Sequence, residues 1–297
     1  MYCEPAFSPP TRAPLFARSE GAGDVVLCLH SSAGSHAQWR GLGTALLGRC
    51  ELIAPDLHGH GRSPAWPQGA AHSLHLDARG ASALLPDPDN RLAPRGVHLV
   101  GHSYGGAVAM QIALQRPRCV RSLTLYEPVP FGVIRSDAPA DAALGEIEEI
   151  AGSVEALVRR GDFEGAARIF VGYWGGATAW EAMAPAQRVA VFARITSVPR
   201  HFDALFRATW TPRLLARLTM PVLLIQGTMT RAPARRVCDL LAAALPQAQR
   251  VEIAGAGHLG PMTHATEVNA TILRQLTVKG WHGLRAAPAR ARGTAAA

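Results

Sequence analysis

The segment Val97-His98-Leu99-Val100-Gly101-His102-Ser103-Tyr104-Gly105-Gly106 constrains the fold more than any other stretch of the chain. An apolar run ends on Gly-x-Ser-x-Gly, and the alanine-rich stretch 107–115 follows. That pattern predicts a strand, one very tight turn and a helix. The serine is forced into a strained backbone conformation, with its hydroxyl pushed out beyond the sheet edge. Gly101 and Gly105 suit such a turn, because a side chain at either position would strike the neighbouring strand or helix. Gly106 and Ala107 let the helix pack close to the sheet. A serine alkoxide formed there lies at a helix N-terminus, where backbone N–H groups and the dipole favour negative charge. The plainer use of such a corner is a glycine-rich turn for phosphate.

A strand-turn-helix unit needs a sheet to belong to. Apolar runs at 25–30, 52–56, 97–100, 122–126, 222–226 and 250–253 alternate with helical patterns. This predicts an α/β fold with a mostly parallel sheet and helices on both faces. Strands buried on both faces read as continuous apolar runs, as these do. One or two further strands are expected between residues 6 and 19. The spacing breaks once, across residues 127–221, which is far more chain than one crossover helix requires. Leu144, Ile147, Ile150, Val154 and Leu157 form an apolar stripe at helical spacing, and residues 163–174, 185–195 and 201–209 add helical segments. Residues 129–213 therefore read as a helical cap inserted over the carboxyl ends of the strands, where open α/β sheets bind ligands.

The chain has 297 residues and is 48% hydrophobic, enough for one large core. Residues 1–276 read as a single domain. Residues 277–297 read as a disordered tail of Ala, Arg, Pro and Gly. The net charge of +8 raises the question of nucleic acid. However, Lys279, Arg285, Arg290 and Arg292 lie in the tail beyond Glu267, the last acid of the chain. The excess is expected to be a solvated extension, and no nucleic-acid partner is expected. No apolar run approaches the length of a membrane span, and the proline-rich residues 1–14 lack the apolar core of a secretory signal. The five cysteines, Cys3, Cys28, Cys50, Cys119 and Cys238, are scattered without paired spacing. A reducing, cytoplasmic setting is the expectation, with no membrane partner.

A serine hydroxyl is a poor nucleophile at neutral pH and needs a base within hydrogen-bond reach. His258 is the candidate. It follows the last apolar run in Val251-Glu252-Ile253-Ala254-Gly255-Ala256-Gly257-His258, on a glycine-rich loop able to reach back over the sheet. An amphipathic helix, residues 265–276, follows it. An oxyanion formed at Ser103 needs two N–H donors. The backbone of Tyr104 is expected to supply one, and the loop His30-Ser31-Ser32-Ala33-Gly34-Ser35 the other, from Ser32 first and Ala33 second. His30 is expected to hold that loop in shape.

Taken in order, Leu-His-Ser-Ser-Ala-Gly-Ser with Gln38-Trp39, then Ala54-Pro55-Asp56-Leu57-His58-Gly59-His60-Gly61-Arg62-Ser63, the Ser103 turn and Gly255-Ala256-Gly257-His258 resemble the α/β-hydrolase superfamily, in its capped single-domain branch. The resemblance covers residues 20 to 276. It implies an eight-stranded, mostly parallel sheet, a Ser-His-acid triad and no cofactor. One departure matters. The family's acid usually follows the penultimate strand in a Gly-x-x-Asp pattern, whereas this chain has Gly227-Thr228-Met229-Thr230, and Thr230 carries no carboxylate. Some branches, such as the haloalkane dehalogenases, take the acid from an earlier strand. Glu127, at the end of the run 122–126, stands in the equivalent place and is the expected acid. Asp239 is a weaker rival, and Asp56 is expected to brace the His-Gly-His-Gly-Arg-Ser turn.

The expected activity is therefore a serine hydrolase acting by acyl transfer on a small, mostly apolar ester, with Ser103, His258 and Glu127 as its triad. A serine nucleophile argues against the alkyl-enzyme chemistry of dehalogenases and epoxide hydrolases. Cleavage of a thioester, a lactone or the C–C bond of a diketone would use the same triad. A ligand-binding protein on the same fold is a further alternative. A metal site drawing on His58, His60, His72, His75 and Asp77 is disfavoured because no third ligand falls at a convincing spacing. The pocket is expected to be apolar, lined by Trp39 and Met229 from loops and by Phe170, Tyr173 and Trp174 from the cap, with Trp180 and Phe192 in reserve. Arg40, Arg62 and Arg231 are isolated cations. The partner expected is a small-molecule substrate, on a monomer or homodimer.

Overall fold

A computed structural model describes residues 14–66, 73–85, 96–245 and 247–278. Seven strands form one sheet: β1 (Ala17–Gly21), β2 (Asp24–Leu29), β3 (Cys50–Pro55), β4 (Val97–His102), β5 (Val120–Tyr126), β6 (Val222–Gly227) and β7 (Gln249–Ile253). Their order is β1-β3-β2-β4-β5-β6-β7. Only β1 runs antiparallel, against β3; every other pairing is parallel. Each apolar run read from the sequence is a strand, one or two residues longer at some ends. The N-terminal strand expected between residues 6 and 19 is β1, which runs on to Gly21. Seven strands are seen among the described residues where the resemblance implied eight, and residues 1–13 lie outside them.

Alternation along the strands builds two cores. Val25, Leu27, Leu29, Leu99, Leu123, Leu125 and Leu224 point to one face. There they meet α2 (Leu74–Ser82), α3 (Tyr104–Gln115) and α11 (Ala232–Ala244). Val26, Cys28, Leu52, Val100, Leu223 and Ile225 point to the other, against α1 (Arg40–Leu46) and α13 (Ala265–Val278). A two-residue period thus serves both layers at once, which is why these strands carry almost no polar positions.

Seven helices lie between β5 and β6: α4 (Gly132–Asp137), α5 (Ala142–Arg159), α6 (Phe163–Gly175), α7 (Ala179–Ala182), α8 (Pro185–Phe192), α9 (Val198–Phe206) and α10 (Pro212–Leu215). The predicted apolar stripe lies inward on α5, with Leu144, Ile147 and Val154 buried. Asp141 and Asp162 cap α5 and α6 by accepting from Ala143 N and Gly165 N, each at 2.8 Å. The expected helices 185–195 and 201–209 are rearranged. A 3-10 turn, Ile195–Ser197, separates α8 from α9. Pro199 explains the break: it lacks an N–H and is tolerated only in the first turn, so α9 starts at Val198. The last two elements are α12 (Gly260–Thr263) and α13. No helix among the described residues is long and apolar enough to cross a membrane.

Candidate active site

The sheet order reverses between β2 and β4, the switch point at which parallel sheets open a crevice at their carboxyl ends. β4 delivers Ser103 there. Ser103 has φ 56° and ψ −121°, the strained turn read from the sequence. The glycines beside it are sterically required. A Cβ on Gly101 would lie 2.5 Å from the Gly105 carbonyl oxygen and 2.6 Å from Gly106 Cα, and one on Gly105 would lie 2.5 Å from the His30 carbonyl oxygen. All of these are backbone atoms and cannot step aside.

Three segments converge on Ser103. Its hydroxyl donates to His258 Nε2 at 2.9 Å. His258 Nδ1–H donates to Glu127 Oε2 at 2.7 Å. Glu127 is fully buried, follows β5 directly and continues its ladder, donating its N–H to the Ile225 carbonyl at 2.9 Å. Its other carboxylate contacts explain the anomaly at 227–230. Gly227 N–H donates to Oε1 at 2.8 Å, and the Thr230 hydroxyl donates to Oε2 at 2.6 Å. The threonine standing where the family keeps its acid is a donor to a carboxylate that arrives from β5. Asp239 plays no part: it pairs with Arg250 at 2.7 Å.

The loop carrying His258 is fixed from below. Tyr126 donates its hydroxyl to the Gly257 carbonyl at 2.7 Å, and His102 Nε2–H donates to the His258 carbonyl at 2.8 Å. Burial, then the neighbouring His258, pushes the His102 pKa well below the usual imidazole value, so His102 stays a neutral strut. From above, the Trp174 ring lies 3.9 Å from the His258 ring, centroid to centroid.

The loop after β2 is held by two more neutral imidazoles. His30 donates from Nδ1 to the Ser31 carbonyl and accepts the Leu57 N–H at Nε2. His60 donates from Nδ1 to the His58 carbonyl and accepts the Ala33 N–H at 3.1 Å. Burial drives their pKa values down to about 3 and about 4. The Ala33 amide is thereby committed, which leaves Ser32 as the better of the two expected donors. Ala33 has φ 57° and Glu127 has φ 40°. Among the described residues, the only non-glycine residues with positive φ are Ala33, Ser103 and Glu127. Strained backbone is concentrated at this one place. Tyr104 opens α3, so its amide belongs to the first turn, which lacks acceptors within the helix.

The cleft at Ser103 is walled mainly by Val129, Phe131, Phe170, Trp174, Phe202 and Leu205, with Ser32 and His201 as its polar edge. Phe170 and Trp174 were expected there; the other expected lining residues lie elsewhere. Trp39 packs in the layer of α1 and α13, because the 3-10 turn His36–Trp39 folds its ring under the sheet. Met229 is 71% exposed. Tyr173 donates its hydroxyl to Glu146 at 2.7 Å. Trp180 is buried and Phe192 is exposed.

Asp56 accepts from the His36 and Arg62 amides at 2.8 and 2.9 Å and braces the turn as expected. Burial pushes its pKa up, but these donors and the His36 ring outweigh that and hold it below the ordinary value. Of the residues considered for a metal, His72 lies outside the described residues. His58 donates to Asp77 at 2.8 Å, as does the Tyr104 hydroxyl at 2.5 Å. Among the described residues, no three His, Cys, Asp or Glu side chains are grouped to hold a metal ion. Sequence reasoning missed His201 and the side-chain role of Asp77. Neither carries a local motif, and their partners lie 169 and 27 residues away.

Comparison with known proteins bears on the fold and the family. The alpha/beta hydrolase fold family matches residues 24–265. The magnesium-chelatase 30 kDa subunit of Rhodobacter capsulatus is 30% identical over 262 residues, covering 80% of this chain and 81% of that protein. The pimeloyl-[acyl-carrier protein] methyl ester esterase of Aeromonas hydrophila is 33% identical over 122 residues, 41% of this chain and 44% of its own. The chain spans 30% of the length of three uncharacterised mycobacterial proteins that it matches at 40% identity. A thermophilic esterase from Thermogutta terrifontis has the same fold, with a TM-score of 0.69 at 23% identity over 89% of this chain and 93% of its own. The chain belongs to the alpha/beta hydrolase family, a family of hydrolase-type enzymes.

Proposed function

We propose that the protein is a serine hydrolase that cleaves a small, mostly apolar carboxylic ester by acyl transfer. The single observation that carries this reading is the unbroken relay from the Ser103 hydroxyl through His258 to the Glu127 carboxylate, with both bonds at or under 2.9 Å. Ser103 Oγ attacks the ester carbonyl while His258 Nε2 takes the hydroxyl proton. The carbonyl π pair moves onto oxygen, where the amides of Tyr104 and Ser32 receive it. Collapse expels the alkoxide, which leaves with the proton from His258, and an acyl ester remains on Ser103. Water then attacks that ester, giving its proton to His258. The second collapse releases the carboxylic acid and returns the proton to Ser103. Glu127 keeps one tautomer of the imidazole and balances its transient positive charge.

The wall residues support an apolar acyl or alcohol group, since the cleft presents mainly Val, Phe, Trp and Leu. The described free cysteines, Cys28, Cys50, Cys119 and Cys238, support a reducing compartment such as the cytoplasm. The name of the R. capsulatus relative points to magnesium chelation, but chelation has no use for this relay. A fluorophosphonate probe tests the proposal. It should label Ser103 in the parent protein and nothing in Ser103→Ala, together with loss of turnover of a short-chain aryl ester. Labelling or turnover retained by Ser103→Ala would refute it.

A further inference from the structure

The corner between α8 and α9 does more than roof the cleft. Five contacts run from residues 194–201 down to the chain at the carboxyl ends of β2, β3 and β4. Arg194 Nη1 donates to the Ala33 carbonyl at 3.2 Å. His201 Nδ1 and the Ser32 hydroxyl share a hydrogen bond of 2.7 Å. Ser197 donates to the Gly59 carbonyl at 3.4 Å. The His201 ring stacks on Tyr104 with centroids 3.6 Å apart and planes 3° apart, and on His60 at 5.0 Å and 11°. His60 in turn holds the Ala33 amide.

We propose that His201 and Arg194 are positioning residues for the two oxyanion donors, an inference that rests on the acyl-transfer reading. The two residues that supply those donors, Ser32 and Tyr104, are both touched by His201. The strained residue next to them, Ala33, is gripped at its carbonyl by Arg194 and at its amide by His60. An alanine held at positive φ is strained and returns to extended backbone unless its surroundings over-determine it. The core domain supplies one of the grips on residues 32 and 33, at the Ala33 amide, and the inserted segment supplies the other two, at the Ala33 carbonyl and the Ser32 hydroxyl. The neighbouring residue on α9, Phe202, and Leu205 one turn on line the cleft. The helix that lines the cleft is thus the helix whose His201 touches both donor residues. Exposure does not drive these contacts: His201 is buried. Burial pushes the Arg194 pKa down, and only its charge interaction with Asp56 opposes that. Neither residue is a surface group that happens to reach a carbonyl.

The test uses the full chain, a short-chain aryl ester and a trifluoromethyl ketone, whose adduct on Ser103 carries a true oxyanion. His201→Ala and Arg194→Gln should each lower kcat by about 10- to 100-fold, the order expected when reacting groups are misplaced by an ångström or less. KM should change little. The ketone should weaken by the same factor as kcat/KM, because both read the oxyanion. His201→Asn, which returns a hydrogen-bonding group near Nδ1, and Arg194→Lys should recover much of the loss. If His201→Ala does not fold, Arg194→Gln carries the test alone. Unchanged kcat with unchanged ketone affinity overturns the proposal. So does a fall in kcat that leaves ketone affinity intact, the signature of a merely structural role. Failure of the parent protein to form any Ser103 adduct would instead defeat the acyl-transfer reading on which the proposal stands.

Discussion

Glu127 receives hydrogen bonds from three groups on two chain segments, and only one of the donors is the imidazole. Glu127→Gln should lower kcat/KM for an aryl ester by about 10²–10⁴, because an amide cannot balance an imidazolium and can force the wrong tautomer. Steady-state rates with a melting curve to confirm folding would check it. Thr230 is the subtler case. Thr230→Val keeps the shape but removes one donor from a buried carboxylate, and a loss of about tenfold is expected, with Thr230→Ser close to the parent; a hydrogen bond to a charged group contributes ~1.5–3 kcal/mol. That Thr230 lacks a carboxylate is plain in the sequence, and so is the candidacy of Glu127 at a strand end. That the two side chains meet is not, because the contact depends on β5 and β6 being neighbours and on a left-handed residue at 127. Trp39 shows the opposite failure. Its loop does end at the crevice, but one further turn of chain points the ring into the other layer, and no pattern in Gln38-Trp39 records that rotation.

Elements were legible where one period governs them. The six apolar runs read as strands and are strands: five are buried on both faces, so each is a short continuous run of mostly apolar residues, and β7 lies largely exposed at the sheet edge. The Ser103 turn was legible for a steric reason: Gly101 and Gly105 face backbone. Gly105→Ala should therefore destabilise strongly and abolish probe labelling together, as read by a melting curve and by adduct mass. Helix boundaries in the insertion were less legible, because amphipathic stripes continue across a proline that interrupts the hydrogen-bond ladder, as at Pro199. The partition into two cores makes a contrasting prediction. Ile272, fully buried on α13, lies in the layer away from the cleft. Ile272→Ala should cost ~2–5 kcal/mol of stability by leaving a cavity, yet leave kcat and KM near the parent values.

Across the whole molecule, buried neutral histidines tie stability to pH. His30 is depressed to about 3, and His60 and His98 to about 4, in each case chiefly by burial. In the unfolded chain all three protonate near 6.5. Between that value and the folded ones, the unfolded state binds protons that the folded state refuses. Their stabilising effect is whole above about pH 6.5 and drains away as pH falls toward 4, at roughly 1.4 kcal/mol per pH unit per histidine inside the window. The melting temperature should drop steadily from pH 7 to pH 5, and a flat profile would contradict these assignments. The central claim concerns chemistry at one atom. Rapid quench of the full chain with a short-chain aryl ester, followed by intact mass and peptide mapping, reads it directly. The predicted result is the mass of one acyl group on Ser103, lost in Ser103→Ala. Turnover without any acyl adduct, or an adduct on another residue, would contradict it.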